Sequence, residues 1–186
     1  MDSCRKIKYM FPKAHAVAYL IAAIRLMWFK VYHPQAFYAT YFTVRGDDID
    51  YEAAVGGVKV AQQHLREVEQ RLKEEKKAKD EDIQVSLQLV NEMLARGCEF
   101  LPFVLGKSRA VRYMVEDGKV RLPFASLKGV GEAAAQALEA ATINGQEYLS
   151  VEELQQACGV SSAVMENLKN VGALGSLPDT SQVSFF

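Results

Sequence analysis

The sequence predicts a mainly α-helical chain with one small β-hairpin, arranged as a helical segment, a second helical unit and a flexible C-terminal tail. Three observations predict it. Apolar residues recur at helical spacing through most of the first 96 residues. An Asp117-Gly118 pair sits between two short apolar runs, a hairpin signal. From Pro123 onward, short helical stretches alternate with Gly145, Gly159 and Gly172. The boundaries expected are 1–96, 97–175 and 176–186.

The first helix is expected over residues 13–32, where Val17, Leu20, Ile21, Ile24, Met27, Trp28 and Val31 share a helical period and Pro34 closes the run. The aromatic stretch Gln35–Phe42 is expected to pack against it. Gly46, Asp47 and Asp48 break the pattern and offer a cap for a short helix near 49–55. After Gly57 a long polar helix is expected over 58–79, because Glu and Lys/Arg interleave without Pro or Gly, giving pairs such as Glu69–Lys73. Another amphipathic helix is expected over 86–96, ended by Gly97 just past its C-terminus. Glu99–Leu105 is short, apolar and interrupted by Pro102, which suits an edge strand. Residues 112–115 and 119–122 form the hairpin arms, and helices follow near 132–141, 151–157 and 161–169.

Composition excludes wholesale disorder, since 49% of the 186 residues are hydrophobic and 24% charged. No uncharged apolar run approaches the ~20 residues of a membrane span, because 14–31 contains His15, Arg25 and Lys30. The expectation is a cytoplasmic protein without membrane contact. Cys4, Cys98 and Cys158 lie far apart, so neither a disulfide framework nor a zinc site is indicated.

The net charge of −1 conceals segregation. Residues 1–45 carry +6, 46–95 carry −5, 96–128 carry +4 and 129–186 carry −6. Two basic blocks are what an anionic partner would select.

The most specific motif lies at 122–138, LPFASLKGVGEAAAQAL. Apolar Phe124 and Leu127, the Gly129-Val130-Gly131 turn, small Ala135 and apolar Leu138 have the register of a helix-hairpin-helix. Two glycines are expected to adopt backbone angles closed to other residues and to present amides beside a helix N-terminus. Lys128, Gly129, Val130, Gly131 and Glu132 would then hold a phosphate oxygen without reading a base. The competing reading is a Gly-rich loop between two core helices. Residues 151–169 would form a degenerate partner hairpin, structural in role because its turn lacks basic residues.

Lys13, His15 and Tyr19 form a second candidate, a cation, an imidazole and a ring beside small alanines that would accommodate a triphosphate and a base. Ordinary helix start and core residues explain the same pattern. His33 and His64 stand without ligand spacing, and Asp47, Asp48 and Asp50 read as helix caps in preference to a metal cluster. The third candidate is terminal: Gln182, Val183, Ser184, Phe185 and Phe186 read as a docking peptide or as a tail that folds onto its own domain.

Taken together, the stretch YMFPKAHAVAYLIAAIRLMWFKVYHPQAFYATYFTVRGDDID at 9–50, NEMLARGCEFLPFVLGKSRA at 91–110, the hairpin and the ending GALGSLPDTSQVSFF resemble the PolC-type bacterial DNA polymerase III alpha subunit. The resemblance implies the end of a fingers region, then a tandem helix-hairpin-helix that binds primer-template duplex, then a peptide for the sliding clamp. It implies that Lys13, His15 and Tyr19 face the incoming deoxynucleoside triphosphate. The ending is similar to the family's Gln-Leu-Ser-Leu-Phe peptide, with Val183 and Phe185 as apolar replacements. The family's palm, whose carboxylates bind Mg²⁺, would lie before residue 1. The expectation is therefore a C-terminal fragment that binds no cofactor itself and does not polymerise alone. The alternatives are a free-standing DNA-binding module and a non-functional remnant.

Overall fold

The computed structural model describes residues 12–46, 49–75 and 77–180. Helix α1 (Lys13–Tyr32) ends at His33, whose amide donates to the Phe29 carbonyl at 2.8 Å. Pro34 occupies the first position of α2 (Pro34–Arg45), where a missing N–H sacrifices no helical bond.

No residue of α1 is buried. Ile24 is 67% exposed and Trp28 49%, so the apolar periodicity of this helix finds no core here. In length and mean hydropathy (1.4) α1 meets the requirement of a bilayer span, which the sequence reading had discounted because of Arg25 and Lys30. Its last turn is fastened to protein instead. Lys30 Nζ donates to Glu92 at 2.8 Å, and Arg96 donates to the Lys30 carbonyl at 3.3 Å. Burial alone would raise Glu92, but the Lys30 hydrogen bond and charge, with Arg96 behind them, hold its carboxyl below the ordinary range.

The aromatic stretch meets α1 at this junction, where Lys30 Nζ lies 5.4 Å from the Phe37 ring centre and 5.9 Å from that of Tyr38. The buried residues of α2 are Tyr38, Ala39 and Phe42. Phe42 packs against Phe100 and Tyr113, with ring centres 5.5 and 5.7 Å apart. Burial pushes the Tyr38 hydroxyl well above its usual range, with the Glu92 carboxylate adding to the shift.

Of the three candidate caps, Asp50 serves α3 (Tyr51–Val55): its Oδ1 accepts from the Ala53 amide at 3.0 Å. Asp47 and Asp48 lie outside the described residues. Asp50 Oδ2 also meets His64 Nδ1 at 2.8 Å, so His64 is not the isolated residue its sequence position implied.

The two helices expected over 58–79 and 86–96 are α4 (Val58–Glu74) and α5 (Ala78–Ala95), so the break between them falls earlier than expected, at 75–77. No Gly or Pro marks the turn. It exists because Ala61 and Val68 of α4 and Leu87 and Val90 of α5 reach burial only when the chain doubles back. Burial of such faces outweighs the weak preference of a charged run for continuing as helix. Arg71 and Asp80 bridge the pair at 3.6 Å. Gly97, at φ +77, ends α5 as expected, with the Cys98 amide returning to the Met93 carbonyl.

Three short strands follow: β1 (Phe100–Leu101), β2 (Met114–Glu116) and β3 (Lys119–Arg121), in the order β1-β3-β2. β1 runs parallel to β3 at one edge, with Phe100 opposite Val120. β2 and β3 form the expected hairpin, and Asp117 (φ +50) and Gly118 (φ +76) adopt the paired positive angles of a two-residue turn. Arg121, 5% exposed, donates to Glu116 and to the Pro102 carbonyl.

A 3-10 turn at Phe124–Ser126 leads to α6 (Glu132–Thr142), α7 (Val151–Cys158) and α8 (Ser162–Asn170). Ser150 and Ser161 cap the last two through their hydroxyls. Phe124, Leu138, Leu154 and Leu168 are fully buried between them. Beyond α8 the chain turns back on α7, and the Val151 amide donates to the Pro178 carbonyl at 2.9 Å. Buried side chains form one continuous cluster from Tyr38 to Leu174.

The Arg121 hydrogen bond, then that of Lys107, holds Glu116 down to about 2 from its ordinary 4.5. A depressed carboxyl stabilises the fold fully above its ordinary value and loses that contribution as pH falls toward 2. Thermal melts of the wild type and Glu116→Gln should therefore differ by a constant interval above about pH 5 and converge near pH 2.

Candidate nucleic-acid interface

The turn at 128–132 is built by its flanks. Phe124, Leu127 and Val130 are buried, which leaves Lys128, Gly129, Gly131 and Glu132 on the surface. Ala135, fully buried, lets α6 approach its neighbours closely. The Val130 amide returns to the Leu127 carbonyl at 3.0 Å, closing the turn, and the Ala135 amide takes the Gly131 carbonyl as the first helical bond. No side chain caps α6, so the amides of its first turn are free to take an external acceptor.

The two glycines are not equivalent. Gly129 has φ +85, in the region that disfavours side chains, and a Cβ there would stand 2.6 Å from Asn167 Nδ2. Gly131 has φ −72 and ψ 162, an extended conformation open to any residue, and a Cβ there would meet nothing within 4 Å. The expectation that both glycines adopt restricted angles therefore holds only for Gly129. Gly131 keeps the space in front of the α6 N-terminus empty. A bulky side chain at that point would shield the amides from a ligand.

Asn167, which carried no signal in the sequence, braces this turn from α8: its Nδ2 donates to the Lys128 carbonyl at 3.3 Å. The second hairpin repeats the backbone pattern, with Gly159 at φ +64 and Val160 buried. Its chemistry differs, because the Ser161 hydroxyl already occupies the Val164 amide and no cation flanks the turn. Only knowledge of which helix packs behind the first turn could have found Asn167, since the two lie 39 residues apart.

Charge is spent unevenly in the +4 block. Arg96 pairs with Glu92, Lys107 and Arg121 with Glu116, Arg109 with Glu139, and Lys119 with Glu99. Glu139 also accepts from the Ala110 amide, so its carboxylate is engaged at both oxygens. Of the seven cations in this block, Arg112 and Lys128 remain exposed with no acidic partner among the described residues.

At the other end, His15 and Tyr19 are brought together on α1, with ring centres 4.5 Å apart at an edge-to-face angle of 71°. Lys13 opens the same helix, but helical geometry sets it about 120° around the axis from Tyr19. All three are exposed. Gln182, Val183, Ser184, Phe185 and Phe186 lie outside the described residues. Among the described residues no group of three or more His, Cys, Asp or Glu side chains is placed to hold a metal ion. Burial pushes the Cys98 and Cys158 thiols above their ordinary range.

The helix-hairpin-helix motif family matches residues 97–183. Along the whole chain the sequence is 42% identical to a DNA polymerase III PolC-type of Listeria innocua and 41% identical to that of Caldanaerobacter subterraneus. It is 37% identical to that of Streptococcus sanguinis. In each case the chain spans about 13% of the relative's length.

The inequality of the two glycines is measurable by urea unfolding. Gly129→Ala should destabilise the chain by about 1–3 kcal/mol, the usual cost of a left-handed angle imposed on a side chain. Gly131→Ala should change stability by less than about 0.5 kcal/mol, since a stiffer unfolded chain and a poorer helix cap offset one another.

Proposed function

Because the chain is homologous along its whole length to a segment of PolC-type DNA polymerase III, we propose that it supplies the duplex-holding part of a replicative DNA polymerase. The 128–132 hairpin grips the phosphate backbone of primer-template DNA. The observation that carries this reading is the turn itself: a Gly129 held at φ +85, an uncapped α6 N-terminus and an uncrowded Gly131 in front of it. Free amides there donate to a phosphate oxygen, the helix dipole favours the negative charge, and Lys128 adds a full positive charge beside it. Contacts to phosphate carry no sequence information, so the grip is independent of sequence, as a polymerase that moves along its template requires.

The rest of the assignment follows the same family logic. Lys13, His15 and Tyr19 face the incoming deoxynucleoside triphosphate in the complete enzyme. The support is their exposure and the His15–Tyr19 ring pair, a flat apolar edge beside an imidazole. The exposed apolar faces of α1 meet other parts of the polymerase, a reading supported by the small share of its relatives that this chain spans. Nucleotidyl transfer and its Mg²⁺ ions belong to the palm of that enzyme, and the described residues contribute binding. Gln182–Phe186 tethers the enzyme to its sliding clamp through Gln182 and the large apolar Phe185 and Phe186.

Fluorescence anisotropy with a labelled duplex tests the hairpin. Binding should weaken as salt rises, with a log–log slope of about −0.9 for each phosphate contacted. Gly131→Leu should weaken it sharply while leaving the melting temperature in place, because the backbone there is open to any residue and a Cβ meets nothing within 4 Å. Unchanged affinity would remove the hairpin from the interface. Deleting Gln182–Phe186 should abolish co-purification with the clamp and leave duplex binding intact.

A further inference from the structure

Arg112 is the one exposed cation of the +4 block, besides Lys128, that no carboxylate neutralises among the described residues. It occupies a ridge between two grooves. One, of about 320 Å³, is lined by Arg109, Val111, Arg112, Met114 and Glu139. The other, of about 230 Å³, lies between α2 and the hairpin and includes Thr40, Thr43, Val44 and Met114.

The chain ties this ridge to the helix-hairpin-helix turn. The Phe124 amide donates to the Arg109 carbonyl at 2.9 Å, and the Ala125 amide donates to that of Ala110 at 2.8 Å. Arg112 lies two residues beyond that strap and Lys128 three beyond it. With about 3.3–3.6 Å per extended residue and about 5 Å across the strap, their Cα atoms are at most about 23 Å apart. Duplex DNA carries one phosphate charge per ~1.7 Å of axis, so a single bound duplex offers phosphates to both positions.

Local electrostatics favour an anion at Arg112. Glu139, the carboxylate in the first groove, is engaged by Arg109 and the Ala110 amide, which leaves Arg112 as its uncompensated charge. Half-exposed Val111 and Met114 flank the guanidinium, and low-dielectric walls strengthen its field. We infer that Arg112 is a second phosphate contact, which extends the duplex-binding surface from the 128–132 hairpin across the segment before β2 toward the groove beside α2. The inference rests on the hairpin reading above.

The full 186-residue chain is titrated with a labelled duplex between 50 and 200 mM salt, as wild type, Arg112→Ala, Arg112→Lys, Lys128→Ala and Gly131→Leu. Arg112→Ala should reduce the magnitude of the log–log slope by about 0.9, so that its deficit against wild type grows about 3.5-fold from 200 to 50 mM salt. Arg112→Lys should keep the wild-type slope. Melting temperatures should be unchanged, because Arg112 has no hydrogen-bond or ion-pair partner to lose among the described residues. If Arg112→Ala keeps the full slope while Lys128→Ala and Gly131→Leu lose affinity, Arg112 is not a contact and the hairpin reading stands. If neither Lys128→Ala nor Gly131→Leu alters binding, the hairpin reading falls and this inference falls with it.

Discussion

Burial of Phe42 against Phe100 and Tyr113 is the contact on which the rest of the structure depends. Phe42 belongs to the helical segment, whereas Phe100 lies in β1 and Tyr113 directly before β2. Three aromatic rings removed from water at one point contribute several kcal/mol, by area and by ring geometry together. A second joint lies nearby: Tyr51 stacks on Phe103 at 5.0 Å, and its hydroxyl donates to the Val171 carbonyl at the far end of the last helix. The two joints hold β1 in place. β1 in turn pairs with β3, and β3 leads directly into the 3-10 turn that opens the helix-hairpin-helix. The 128–132 turn thus inherits its orientation from aromatic packing fifteen or more residues upstream.

Behind the turn, the degenerate second hairpin acts as scaffold. It keeps the glycine conformation and the buried valine of the first, but its serine caps its own helix and its turn carries no cation. Its helix supplies Asn167, which holds the Lys128 carbonyl and fills the space that a side chain at 129 would need. One hairpin is thereby left with open amides because the other has closed its own and stands behind it. Electrostatics show a similar division. Most cations of the 96–128 block stabilise the sheet and its connections through internal ion pairs, as Arg121 and Lys107 do around Glu116. A basic block is therefore a poor measure of a binding surface, and the unpaired remainder is a better one.

Local signals in the sequence were sufficient for most elements. Helical periodicity marked α1, the Asp117-Gly118 pair marked the sheet hairpin, and the LKGVGE turn marked the glycine hairpin that opens α6. Each depends on interactions within a few residues, so a linear reading captures it. The position of the turn between α4 and α5 differs from that reading, falling at 75–77 and not after 79, because no local breaker marks it and the mutual burial of two distant faces sets it. His64 was read as isolated for the same reason: its partner, Asp50, is fourteen residues away.

What the sequence by itself determined was most of the elements and the position of the glycine turn before α6, since both follow from backbone preferences and short-range spacing. It also carried the relationship to PolC-type polymerases, which rests on residue identity along the whole chain. Tertiary structure decided the rest. It separated the conformational need at Gly129 from the steric need at Gly131, and it found the brace at Asn167. It turned the apolar face of α1 outward and, among the described residues, left Arg112 and Lys128 as the cations of their block without an acidic partner. Each of these is a question of which groups meet across the fold. Burial and ion pairing are settled by neighbours in space, which the order of residues along the chain does not specify.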